Sequence, residues 1–106
     1  MSVQLTGAVV SDEAVTSIVR GAVSQVTGVR LDRPSRVTRA LPGRRDAVSW
    51  VLDERGARFD VDVAASYGVP LPQAAAEVRE RVAAAVLAMT GMPVRSVDVT
   101  VTGVER

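Results

Sequence analysis

Two rhythms of apolar residues run along the chain, and the places where one gives way to the other mark its elements. Val15, Ile18, Val19, Ala22, Val23 and Val26 recur at helical spacing, so they share one face of a helix. Ser11 stands ahead of that run, followed by Asp12 and Glu13. A serine oxygen accepts a hydrogen bond from a free N–H of the first turn, and acids suit the positive end of the helix dipole. Thr27-Gly28 ends the helix, with glycine able to take the left-handed conformation found past many helix ends. Gly21 lies inside the helix at a cost of about 1 kcal/mol against alanine, and is expected to permit close packing on a sheet.

The second rhythm has a period of two. Val48, Trp50 and Leu52 alternate with Ser49 and Val51, which predicts a strand. Asp53-Glu54-Arg55-Gly56 predicts a turn, with Gly56 where a positive φ is needed. The return strand sets Phe59, Val61, Val63, Ala65 and Tyr67 on one face and Asp60, Asp62, Ala64 and Ser66 on the other. Trp50 and Tyr67 are expected in the core. Gly68 and Pro70 break that strand, and Pro72 suits the first turn of a second helix. Its buried stripe is predicted as Leu71, Ala75, Val78, Val82, Val86 and Met89, with Gln73, Glu77, Glu80, Arg81 and Ala84 facing away. Thr90-Gly91 and Pro93 stop it. A last strand follows, with Val97, Val99 and Val101 on one face and Asp98, Thr100 and Thr102 on the other. Val29–Leu31 reads as a short strand, and Val3–Val10 as a short strand or an extended lead-in. The pattern predicts an α+β fold over residues 1–106 as a single domain. Its sheet is small, three- to four-stranded and mainly antiparallel, with two helices on one face in β-α-β-β-α-β order.

Composition narrows the chemistry. Hydrophobic residues make up 47% of the 106, enough for one modest core, and most are Val and Ala. That core should be thin. Neither Cys nor His occurs, which removes thiolate chemistry, disulfides and the commonest general base and metal ligand. All 13 basic residues are Arg, so Schiff-base chemistry and a phosphate-loop lysine are also absent. An Arg-for-Lys bias with heavy Ala and Val fits a GC-rich, actinobacterial-like composition. No cofactor is expected. The stretch from Val63 to Ala76 is uncharged but contains Gly68, Pro70 and Pro72, and it falls short of the roughly 20 apolar residues of a membrane span. No signal peptide is expected.

Charge is uneven. Arg30, Arg33, Arg36, Arg39, Arg44 and Arg45 face only Asp32 in their window, giving it +5 within a net +1 chain. The segment at about 32–46 holds Pro34, Pro42 and Gly43 without a period, and is predicted to be a loop. Those six arginines are the candidate partner-binding residues. Nucleic acid is disfavoured there, because no aromatic side chain interleaves with them. Asp60 and Asp62, with Asp98 nearby, are expected on the wet face of the sheet rather than in a metal site.

The ordered set Val9-Val10-Ser11-Asp12-Glu13-Ala14-Val15, Val26-Thr27-Gly28-Val29, Tyr67-Gly68-Val69-Pro70-Leu71, Ala76-Glu77-Val78, Met89-Thr90-Gly91-Met92 and Val94–Val101 resembles the alkaline shock protein family. These are general- and envelope-stress proteins of Gram-positive bacteria. The resemblance implies a compact α+β domain that is not an enzyme. It also implies a cytoplasmic place, membrane-proximal through an integral-membrane partner protein, with self-association into a homo-oligomer and a role in cell envelope homeostasis. The Arg-rich segment departs from the family pattern. The expected function is a protein-binding or scaffold domain of the stress response. The alternative is a small RNA-binding module that uses the Arg-rich loop.

Overall fold

The structure, a computed structural model, describes residues 2–5, 8–32 and 47–106. All of the predicted loop but Asp32, with Arg33, Arg36, Arg39, Arg44 and Arg45, lies outside the described residues, as does Gly7. Eight elements follow in order: β1 (Ser2–Leu5), β2 (Ala8–Ser11), α1 (Asp12–Ser24), β3 (Val29–Leu31), β4 (Val48–Asp53), β5 (Gly56–Ser66), α2 (Leu71–Thr90) and β6 (Val94–Glu105). The apolar lead-in is two strands rather than one, β1 and β2 pairing antiparallel as a separate two-stranded sheet.

The main sheet is built around β5. On one side β4 pairs antiparallel with its first half and β3 antiparallel with its second half. On the other side β6 pairs parallel with its whole length. A parallel neighbour needs a crossover, and α2 supplies it. The result is an α+β fold with two helices and a four-stranded sheet, two of whose three pairings are antiparallel, as the pattern predicts.

Local chemistry explains the element ends. The Ser11 hydroxyl accepts from the Ala14 N–H at 3.1 Å, the expected cap. Helix α1 ends at Ser24, ahead of Thr27-Gly28, and Gly28 takes φ +77° in the turn into β3. Gly91 does the equivalent past α2 at φ +76°, where the Thr90 hydroxyl donates to the Val86 carbonyl and accepts from the Met92 N–H. Gly56 opens β5 at φ +129°.

Both helices lie on one face of the sheet. Val15, Val19, Ala22 and Val23 of α1 and Val78, Val82 and Val86 of α2 meet Val48, Trp50, Phe59, Val61 and Val97 of the strands. Phe59 and Met92 are the largest fully buried side chains, so the core is as thin as the composition predicts. Trp50 and Phe59, opposite each other across β4 and β5, stack with ring centroids 6.0 Å apart. The indole N–H of Trp50 donates to Asp12 at 2.7 Å, tying α1 to β4.

Three expectations are corrected. Met89 is 71% exposed, and Ala74 completes the buried stripe of α2. Met92, beyond the glycine stop, fills the core at that end and leaves Met89 on the outside. Tyr67 is 72% exposed because β5 ends at Ser66 and the chain turns away through Gly68 at φ +91°. Gly21 is exposed, and a Cβ there would touch nothing, so it permits no close approach to the sheet.

Candidate interaction surface

The face of the sheet away from the helices is built by the polar positions of the alternating strands. Ser49 and Asp60 are partners across β4 and β5, as are Val51 and Arg58. Across β5 and β6, Arg58 partners Ser96, Asp60 partners Asp98, and Asp62 partners Thr100. Arg58, Asp60, Asp98 and Thr100 are exposed, and Val51 is 54% exposed among them. The expected meeting of Asp98 with Asp60 is therefore real. Two like charges directly opposite each other cost sheet stability rather than adding to it.

Asp62 departs from the wet-face expectation, for it is only 1% exposed. Its backbone is the clasp of the Arg-rich segment. The Asp32 N–H donates to the Asp62 carbonyl at 2.9 Å, and the Asp62 N–H donates to the Ala47 carbonyl at 2.8 Å. The described residues flanking 33–46 thus both bond to one residue of the central strand. Sequence alternation could not reveal this, because the closure depends on where β3 and β4 end along β5.

Of the six candidate arginines, Arg30 is described. It lies on β3, and its guanidinium pairs with both carboxylate oxygens of Glu105 at the far end of β6. It also lies 3.6 Å from Asp32 and donates to the Leu31 carbonyl. The hydrogen bond to Glu105, then its charge, raises the Arg30 pKa further above its already high value. Arg30 thus links β3 to the end of β6 through an exposed ion pair. Thr102, also on β6, donates to Asp32 at 2.7 Å.

At the opposite end of the sheet Arg95 pairs with Asp53 at 2.9 Å. The Arg55 N–H, with Arg95 adding, holds the Asp53 carboxyl below the usual carboxylate range against partial desolvation. The guanidinium of Arg106 lies 5.6 Å from the centre of the Tyr67 ring. Among the described residues no group of three or more acidic, His or Cys side chains is placed to hold a metal ion. Nor is any helix there long and apolar enough to cross a membrane.

A family model for the alkaline shock protein 23 family, described as having a cell envelope-related function, matches residues 2–106. The chain belongs to that family. No curated protein matches it significantly. Among solved structures, the MamM CTD in a zinc form is similar, with a TM-score of 0.52 and 20% identity over 86% of this chain and 84% of that one. At that identity the likeness concerns the fold alone: the alkaline shock chain shares a small α+β architecture with that domain.

Proposed function

We propose that the chain is a non-catalytic docking domain of envelope homeostasis that binds protein partners, further copies of itself among them, near the membrane. The observation that carries this reading is the open sheet face. It holds two opposed carboxylates, Asp60 and Asp98, whose pairing opposes sheet stability, beside an exposed Val51. Charges and an apolar side chain that the fold itself does not use suit a partner surface. The Arg-rich window of the sequence supplies the opposite sign. Arg30 is its anchored member, and Arg33, Arg36, Arg39, Arg44 and Arg45 are the proposed contact residues for an acidic partner. Family membership supports the envelope setting. An integral-membrane protein as the anchor would place the domain at the membrane.

The test is co-sedimentation with membrane vesicles from the host, compared with protease-shaved vesicles and protein-free vesicles of host lipid. The proposal expects binding to the untreated vesicles and its loss after shaving. Equal binding to lipid alone contradicts a protein anchor. The rival reading, an RNA-binding module, draws on the same +5 window. A gel shift that weakens steeply with salt would support it.

A further inference from the structure

The two edges of the main sheet are unlike. One is split between β3, of three residues, and β4, of six. Short, interrupted edges resist pairing with other chains. The other edge is β6, twelve residues long, with no Pro inside it and no Lys. Among the described residues β6 pairs with β5 alone, and Asp98, Thr100 and Thr102 along it are exposed. The regular ladder between Ser96 and Val101 holds one charge, Asp98. Among the described residues no Pro, Lys, bulge or further strand interrupts that ladder, although bulges flank it at both ends.

The apolar row of β6 has an internal symmetry. Two bulges, at Arg95 and Thr102, each admit one extra residue against β5. By doing so they bring Val94 and Val104 onto the helix-side row, opposite Ala57 and Ala65, with Val97, Val99 and Val101 between them. Val94 and Val104 lie equally far from Val99, as do Val97 and Val101. Read in either direction, the row is the same. Val94, Val99 and Val101 are only partly buried, and Val104 is 53% exposed.

We infer that a second copy of the chain pairs antiparallel along β6, with the two-fold axis at Val99. This rests on the docking reading above and names one partner and its register. Val99 then meets Val99, Val97 meets Val101, and Val94 meets Val104, beside a groove that Arg79, Glu80 and Ala83 of α2 line together with the Val94–Val97 stretch of β6. On the open side Asp98 faces Thr100, and Arg95 comes within the diagonal reach of Glu105. Parallel, in-register pairing would instead set Asp98 on Asp98 and Glu105 on Glu105, which repel. The antiparallel arrangement is closed and isologous, so it ends at a dimer and joins two sheets into one. The present pairs Arg95–Asp53 and Arg30–Glu105 are exposed, so rearranging them costs little.

The full chain contains no cysteine, which makes single-cysteine cross-linking unambiguous. Val99→Cys should form a disulfide-linked dimer under mild oxidation. Val97→Cys and Val101→Cys should each cross-link poorly alone and well when mixed. Thr100→Lys, now facing Asp98 twice across the axis, should tighten self-association about fivefold, and Thr100→Glu should weaken it by a similar factor. Thermal melts of both variants confirm that the protomer is folded. Equal cross-linking from all three positions, or weakening by both Thr100 variants, would overturn the register in favour of parallel pairing. Self-association without a Val99→Cys cross-link would overturn this interface and leave the docking reading standing. Loss of vesicle binding with the cross-link intact would do the reverse. A strictly monomeric chain overturns the inference outright.

Discussion

At Gly56 a Cβ would lie 2.5 Å from the Pro93 carbonyl oxygen, on a backbone whose φ of +129° side chains rarely adopt. That carbonyl accepts the Ala57 N–H at 2.8 Å, so it cannot withdraw without breaking the start of the β5–β6 ladder. Gly56→Ala should cost about 2 kcal/mol or more, read by urea denaturation. Gly21 is the opposite case, for it sits exposed in α1 with open space around it. Gly21→Ala should stabilise by roughly 0.5–1 kcal/mol through helix propensity. Sequence alone gives both glycines the same letter and misassigns the second, because only the fold says which neighbour stands over each. Asp53 gives a pH prediction at the same scale. Its folded pKa is depressed, so its contribution is present above the ordinary carboxylate value and is lost as pH falls through the folded pKa. Below about pH 4 the native chain should lose stability relative to Asp53→Asn, and the difference should shrink in high salt.

The elements themselves were written plainly in the chain. Ser11 caps α1, the stripe Val78, Val82, Val86 faces inward, and the alternation of Phe59, Val61 and Val63 lies on the core side. The pattern failed where an element stops. Period two runs on through Tyr67, and helical spacing runs on to Met89, yet both are exposed. Periodicity carries no information about the backbone turning away at Gly68 or about Met92 re-entering the core past Gly91. The link between elements is likewise absent from any local pattern. Asp12, expected as a dipole partner for α1, also accepts the Trp50 indole N–H at 2.7 Å. Asp12→Ala leaves that partly buried donor unsatisfied and should cost about 1–3 kcal/mol, more than a surface acid at a helix start alone would. Chemical denaturation of Asp12→Ala beside Glu13→Ala measures the excess.

Among the described residues, one face of the sheet packs on the helices, and the other is exposed at Arg58, Asp60, Asp98 and Thr100 but buried at Asp62 and Ala64, with β6 as the long outer strand. The candidate surface was partly legible: Asp60, Asp98 and Thr100 were placed on one polar face by alternation, and the parallel register then set Asp60 against Asp98. The role of Arg30 was not legible, since its Glu105 partner lies at the other end of the chain. Nor was the burial of Asp62, on whose backbone Asp32 and Ala47 converge. The proposed function stands on the open face as a protein-docking surface. The most direct test reverses its charge with the double substitution Asp60→Arg and Asp98→Arg, measured by co-sedimentation with untreated host membrane vesicles. The account predicts that the double variant keeps a native melting transition but loses vesicle binding by at least about tenfold. Undiminished binding by a folded double variant would contradict it.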